Sequence, residues 1–113
     1  MIDNIEIEKS KAHITEEIIE YVPHSVLSKT IIKKSTGNIC VISFDDGEGL
    51  GEKTSPFDTF AQIIDGKAEI VIDSKSHLLH TGESIIIPAH TSNLIKANGR
   101  FKMITTVIKS GYE

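Results

Sequence analysis

The chain has 113 residues and a formal net charge of −4, a length typical of one domain with one core. The acidic balance argues against nucleic acid as a partner, because phosphate binding needs a concentrated basic face. No segment approaches the ~20 apolar residues that cross a bilayer, so we expect no membrane partner either.

The single cysteine indicates the compartment. Cys40 has no second cysteine with which to form an internal disulfide, and it lies in an apolar run. A buried, inert thiol needs no oxidising environment. The N-terminus also lacks a basic region followed by an apolar stretch. We therefore expect a cytoplasmic protein.

Residues 1–24 are predicted to form a charged N-terminal segment ahead of a domain spanning residues 25–113. A short helical turn is expected near Thr15, with this threonine as its N-cap. Pro23 ends whatever precedes it. The segment is otherwise compatible with a strand, or with an arm that reaches a second subunit.

The remainder is predicted to be a succession of short β strands rich in Val, Ile and Thr. Asp65-Gly66 predicts a two-residue hairpin, and residues 45–51 predict a glycine-rich loop. No crossover helix fits between the strands, so an all-β sandwich or closed barrel is favoured. The predicted strands are Val26 to Lys33, Asn38 to Phe44, Phe57 to Ile64, Lys67 to Ile72, His77 to His80, Ser84 to Ile87, Leu94 to Ala97 and Phe101 to Ile108.

Two segments resemble the motifs of the cupin superfamily. Gly82 to Asn93 resembles the second motif, in which a glycine, five residues, a proline and a later histidine follow one another. Gly51 to Thr59, continuing to Gly66, resembles the first, in which a His-x-His pair and a glutamate precede a glycine. The likeness covers roughly Ser25 to Lys109 and is closest to small, single-domain RmlC-like cupins. It implies an antiparallel double-stranded β-helix, or jelly-roll barrel, and a homodimer.

The customary metal ligands of that family are replaced in this chain. On the resemblance, Lys53 and Ser55 stand at the two histidines of the first motif, and Thr59 stands at its glutamate. Asn93 stands at the histidine of the second motif. An ammonium group cannot coordinate a cation, and hydroxyl and amide groups bind transition metals weakly compared with imidazole. We therefore expect no metal cofactor at the usual position.

The five histidines offer little to rebuild such a site. His77 and His80 are three apart on one strand, so their side chains point to opposite faces. His90 precedes Asn93 by three residues and is either a displaced ligand, with Asp58 as its nearest acidic partner, or a solvent-facing rim residue. The other two, His13 and His24, are expected on the solvated surface of the N-terminal segment.

The interior of the barrel is the candidate site for a small molecule. Strand alternation directs Lys53, Ser55, Thr59 and Asn93 toward it. Lys53 suits the recognition of a carboxylate or phosphate, unless it pairs with Asp58 or extends into solvent. Asp58 alternatively accepts backbone N–H bonds in its own turn. Gln62 is either a hydrogen-bonding residue of the pocket or a polar residue on the outer face.

Three functions are compatible with these features. The favoured one is a metal-free cupin that binds a small molecule or acts in regulation, without an assignable reaction. The second is a metal-dependent oxygenase or isomerase that uses a displaced set such as His90 with Asp58. The third is an interaction module whose exposed edge strands, Val26 to Lys33 and Phe101 to Ile108, pair with another subunit.

Overall fold

The computed structural model describes residues 6–112, which form eight β strands and one 3-10 turn. Residues 1–5 of the predicted N-terminal segment, and residue 113, lie outside this range. Within it, no helix is long and apolar enough to span a membrane. The elements are η1 (Thr15–Glu17), β1 (Val26–Lys34), β2 (Gly37–Phe44), β3 (Gly49–Thr54), β4 (Thr59–Ile72), β5 (Lys75–His80), β6 (Ser84–Ile87), β7 (Ser92–Lys96) and β8 (Phe101–Ile108).

All strands pair antiparallel in one curled sheet, which confirms the all-β prediction. The strand order is β1-β2-β8-β4-β7-β3, and β5 and β6 also pair with β4. The first half of β4 pairs with β6 and β8, whereas its second half pairs with β5 and β7. This long strand therefore joins the two halves of the fold and leaves a concave interior between them.

The predicted hairpin at Asp65-Gly66 is wrong, because β4 runs through both residues without turning. The register against β8 shifts between Ile63 and Asp65, so the strand bulges and bends there instead. Gly66 has a φ of +88°, and a β-carbon at this position would collide with the Arg100 carbonyl oxygen. Glycine is needed for the bend and for this close approach, and neither need is visible in the dipeptide alone.

Two other predictions at strand ends also fail. The loop predicted over residues 45–51 ends early, since β3 begins at Gly49 and pairs with β7. β1 does lie at an edge of the sheet, but β8, the predicted edge strand Phe101 to Ile108, lies between β2 and β4. Residues far apart in the chain decide which strand becomes central, so local composition did not reveal it.

The core lies inside the curl and draws its buried side chains from β2, β4, β7 and β8 among other strands. Phe44 of β2 and Phe101 of β8 are cross-strand partners, and their rings stack with centroids 4.3 Å apart. Both are fully buried, together with Ile63, Ile70 and Met103. These side chains alternate with outward-facing residues along their strands, as the period of a pleated sheet requires.

The N-terminal segment packs against the outer face of the sheet through Tyr21. Its hydroxyl donates to an Asp65 carboxylate oxygen at 2.6 Å, while Lys102 lies over its ring at 4.8 Å. The short turn near Thr15 is confirmed as a 3-10 helix, but its N-cap is Ile14 and not Thr15. No strand forms in residues 6–24, so the strand alternative for this segment is wrong over the part described.

Asp45 joins this segment to the sheet through its hydrogen bonds. Its lowered pKa predicts that the stability of the protein falls in acid. Its carboxylate accepts the His24 N–H at 2.7 Å and the Arg100 Nε–H at 2.8 Å, and these donors lower the pKa of Asp45 to about 2. A lowered pKa contributes stability above the unfolded value near ~3.9, and the contribution is lost as pH falls toward the folded value.

We therefore expect the melting temperature of the protein to fall steeply between about pH 4 and pH 2. Asp45→Asn should melt lower than the native protein at neutral pH, and its own melting curve should change less across this window. Thermal melts at half-unit intervals of pH measure both effects. Parallel curves for the two proteins would contradict the assigned role of Asp45.

Candidate functional site

A cavity of about 210 Å³ opens between the β3–β7 pair and the β2–β8–β4 face of the sheet. Its walls are mostly apolar, with a few polar side chains among them. Lys53 is the only charged residue in the described lining. The lining residues are Ile42, Leu50, Lys53, Ser55, Phe57, Thr59, Ile87, Pro88, Asn93, Ile95, Met103, Thr105 and Val107.

Strand register brings the two motifs together at this cavity. Lys53 of β3 and Asn93 of β7 are direct cross-strand partners, although forty residues separate them in the chain. Side chains of such partners leave the backbone roughly 4.5–5.5 Å apart on the same face. The positions that the resemblance assigned to one histidine from each motif are therefore neighbours in space.

Ser55 and Thr59 complete the polar part of the lining. Ser55 follows the end of β3, where its carbonyl accepts the His90 N–H at 2.7 Å and its hydroxyl accepts the Phe57 N–H at 3.2 Å. Thr59 is the first residue of β4, between Ile87 and Val107 of the neighbouring strands. Four of the seven candidate residues thus converge: Lys53, Ser55, Thr59 and Asn93.

Lys53 brings an uncompensated positive charge to the cavity. Desolvation by the surrounding walls lowers the pKa of its ammonium, although the residue as a whole is exposed. No carboxylate in residues 6–112 lies within ion-pair distance of it, so the suggested Lys53–Asp58 pair does not form. The ammonium is therefore available for an ion pair with an anion.

Asn93 brings an unpaired hydrogen-bond acceptor. The residue is only 4% exposed, and its Nδ2 donates to the Lys53 carbonyl at 3.3 Å. That bond fixes the orientation of the amide, because a carbonyl can only accept. The opposite atom, Oδ1, is buried and has no partner within the described residues. Leaving such a group unsatisfied costs about 1–3 kcal/mol.

Asp58 and His90 do not line this cavity. Asp58 accepts the Ala89 N–H at 2.8 Å, and its own N–H donates to the Tyr112 hydroxyl at 2.7 Å. It therefore connects three loop and terminal segments; the backbone N–H that its carboxylate accepts belongs to a distant loop and not, as the alternative predicted, to its own turn. His90 is exposed on the same loop, with a left-handed backbone φ of 67°.

The remaining predicted residue, Gln62, lies outside the cavity. It alternates along β4 with Ala61 and Ile63, which are fully buried in the core, so it belongs to the opposite, outer face. Of the two predicted positions for Gln62, the outer face of the strand is the one that the structure shows.

One polar lining residue was missed by the sequence reasoning. Thr105 lies on the inward face of β8, between the cavity residues Met103 and Val107. The alternation of this strand could have identified it, since every second residue from Phe101 faces inward. Composition did not single it out, because threonine is common on both faces of a sheet.

The residues at the customary ligand positions do not suit a transition metal. An ammonium, two hydroxyls and a neutral amide surround the point where imidazoles would be required. Elsewhere in residues 6–112, no three His, Cys, Asp or Glu side chains are grouped so that they could hold a metal ion. His90 and Asp58 accordingly lack a third ligand within this range, and the displaced-site alternative gains no support.

Restoring the four ligands tests whether the four positions still converge. The variant Lys53→His/Ser55→His/Thr59→Glu/Asn93→His should bind Ni²⁺ in calorimetry at micromolar affinity or better, because three imidazoles and a carboxylate form a strong site. The native protein is the control, and leaving Asn93 unchanged should weaken the new site. Failure of the fourfold variant to bind Ni²⁺ would show that the positions diverge.

No protein-family model matches the chain, and no curated protein sequence matches it. Solved structures do match. A conserved protein of unknown function from Streptococcus pyogenes is 29% identical, with a TM-score of 0.89 over 98% of this chain and 97% of that protein. A cupin superfamily protein from Desulfitobacterium hafniense is 28% identical, with a TM-score of 0.86 over 91% of this chain and 94% of that one.

A third structure extends the likeness. The cupin 2 conserved barrel domain protein from Leptotrichia buccalis is 27% identical, with a TM-score of 0.80 over 83% of this chain. The match covers 46% of that protein, which is therefore much longer than the domain described here. The three similarities together support a shared architecture over nearly the whole of residues 6–112.

Proposed function

This chain belongs to the cupin superfamily, and we propose that it is a metal-free member that binds a small anionic molecule in the cavity between β3–β7 and β8. The single observation that carries the proposal is Lys53, a cation without a carboxylate partner in residues 6–112, on a wall with no other charged residue among those described. No reaction is assigned to the site.

The shape and chemistry of the cavity support a small ligand with an apolar body. Its volume of about 210 Å³ is below the ~300–1,000 Å³ of sites for drug-sized molecules. Isoleucine, leucine, methionine and valine side chains dominate the lining, so an apolar body is favoured. The hydroxyls of Ser55, Thr59 and Thr105 add a few directional contacts, as is usual for sites of this kind.

A second cation close to the cavity lining also favours an anion. The ammonium of Lys109 lies 6.0 Å from the ring centroid of Phe57, which is itself a lining residue. The ring of Tyr112 also lies near Phe57, with ring centroids 5.8 Å apart. The C-terminal segment thereby holds a positive charge near the lining, which favours the approach of an anion.

Calorimetry with charged and neutral ligands of equal size tests the proposal. We expect 4-methylpentanoate to bind, and 4-methylpentanamide to bind at least about tenfold more weakly, because only the carboxylate can pair with an ammonium. Methyl phosphate extends the test to the other anion class. Equal affinity for the acid and the amide, or no binding of either anion, would contradict the proposal.

A second candidate, an interface with another copy of the chain, is favoured by the outer face of the sheet. One row of cross-strand partners crosses five strands there: Ile32, Ile39, Thr106, Phe60 and Ile86. Ile32, Phe60 and Ile86 are 42%, 41% and 62% exposed. An exposed, mostly apolar row of this kind is typical of an interaction surface. In an isologous dimer the row of each copy would be buried against the same row of the other copy.

Sedimentation analysis distinguishes this candidate. A homodimer of the native chain should dissociate in Phe60→Glu, because a buried unpaired carboxylate is costly. Leu78→Glu is the matched control, since Leu78 is 57% exposed on β5, away from the row. A native monomer, or equal effects of the two substitutions, would argue against the interface.

A further inference from the structure

The unpaired acceptor of Asn93 narrows the class of ligand. Asn93 lines the same cavity, its Oδ1 is buried without a partner among the described residues, and its Nδ2 already donates to the Lys53 carbonyl. A ligand that carried only an anionic group would place acceptor oxygens against this acceptor. The complementary ligand must bring a hydrogen-bond donor to Asn93 as well as a negative charge to Lys53.

We propose that the cavity takes a small 2-hydroxy carboxylic acid, whose carboxylate pairs with Lys53 and whose hydroxyl donates to Asn93 Oδ1. This inference rests on the proposed function, because it concerns a second contact made by the same anion. It adds a specificity determinant, Asn93, that a simple anion site would not need.

The spacing of the two side chains favours groups on adjacent carbons. Lys53 and Asn93 are direct cross-strand partners, so their side chains leave the sheet next to each other. A hydroxyl on the carbon next to the carboxylate places its donor within a few ångströms of the charge.

The charge of Lys53 selects a neutral donor over a cationic one. A 2-amino acid also carries donors beside its carboxylate, but its ammonium would lie next to the Lys53 ammonium in a largely apolar cavity. Like charges at short range are strongly unfavourable where water is excluded. A 2-oxo acid offers only acceptors at that carbon, which Oδ1 cannot use.

Four acids with the same branched apolar tail test the inference by calorimetry on the native protein. They are 2-hydroxy-4-methylpentanoate, 4-methylpentanoate, 2-oxo-4-methylpentanoate and leucine. We expect the hydroxy acid to bind about tenfold more tightly than each of the others, which corresponds to one satisfied hydrogen bond to a buried acceptor. Each enantiomer of the hydroxy acid is measured separately, and the affinity of the tighter-binding enantiomer is compared with the affinities of the other three acids.

The possible outcomes separate this inference from the proposed function. Equal binding of the hydroxy acid and 4-methylpentanoate would overturn the role of Asn93 and leave the anion site intact. A preference for leucine or for the oxo acid would overturn it equally. Absence of binding by all four acids would overturn the anion site itself, and this inference with it.

A variant adds an independent readout. Asn93→Ala should bind 4-methylpentanoate about as well as the native protein does, and the tenfold preference for the hydroxy acid should disappear. Asn38→Ala, near the start of β2 and outside the cavity, is the matched control and should keep the preference. A preserved preference in folded Asn93→Ala would contradict the assignment. If that variant does not fold, the ratio of the native protein's affinities for the hydroxy acid and for 4-methylpentanoate still tests the role of Asn93.

Discussion

Phe101→Ala is expected to lower the free energy of unfolding by about 3–5 kcal/mol, the largest single effect on stability that the structure predicts. Phe101 is fully buried, and its ring stacks on Phe44 with centroids 4.3 Å apart and planes inclined by 11°. The substitution removes the ring from water-excluded surroundings, leaves a cavity and abolishes the aromatic pair. For a domain of this size the melting temperature should fall by at least about 12 °C.

The neighbours of Phe101 determine how far the site can relax. Phe101 is the cross-strand partner of Gly66 at the bend of β4 and of Phe44 on β2. Neither the bend nor the paired backbone can move inward without breaking ladder hydrogen bonds, so the void should persist. Leu78→Ala is the control, because Leu78 is 57% exposed and should change stability by no more than about 0.5 kcal/mol. Comparable losses in chemical denaturation would show that Phe101 is not part of the core.

The strands were the most predictable feature of the fold. Residues 101–108 and 84–87 alternate or run in β-branched residues bounded by Gly, Pro or Asn, and their predicted bounds coincide with β8 and β6. Such signals are local, because each strand exposes one face and buries the other over only a few residues. The all-β class followed from them directly.

The long strand β4 was not predictable in the same way. Asp65-Gly66 has the composition of a hairpin turn, yet the strand only bends there and continues to a second set of partners. The chain continues as a strand at these residues because one half of β4 pairs with β8 and the other half pairs with β5 and β7. Pairing of this kind depends on residues up to 48 positions away, as between Thr59 and Val107, which a dipeptide cannot report.

The candidate site was predictable in part, through the spacing of the two motifs. That spacing placed Lys53 and Asn93 together, and their cross-strand register agrees. The unpaired state of Asn93 Oδ1 was not foreseeable, because it depends on which neighbour the amide nitrogen contacts. The role of Asp58 was likewise decided by a loop thirty-one residues away, where the Ala89 N–H meets its carboxylate.

Lys53→Met is expected to weaken binding of the tightest acid in the panel by about 10–100-fold, the usual loss when a hydrogen bond to a charged group is removed. Methionine keeps most of the apolar stem and deletes only the ammonium. Desolvation lowers the pKa of Lys53, so the native protein should also lose acid binding at a lower pH than an ordinary lysine would allow. The binding constant measured between pH 7 and pH 10 should fall in the native protein and stay flat in the variant.

The same substitution should leave the melting temperature unchanged or raise it, because a group whose charged form is disfavoured in the folded state costs stability wherever it is charged. This combination separates a ligand-binding lysine from a structural one. Lys96→Met is the control, since Lys96 is exposed on β7 three residues from Asn93 and does not line the cavity. Lys53→Met that binds the acid as the native protein does, or that loses stability together with binding, would mean that Lys53 supports the barrel and does not recognise the anion.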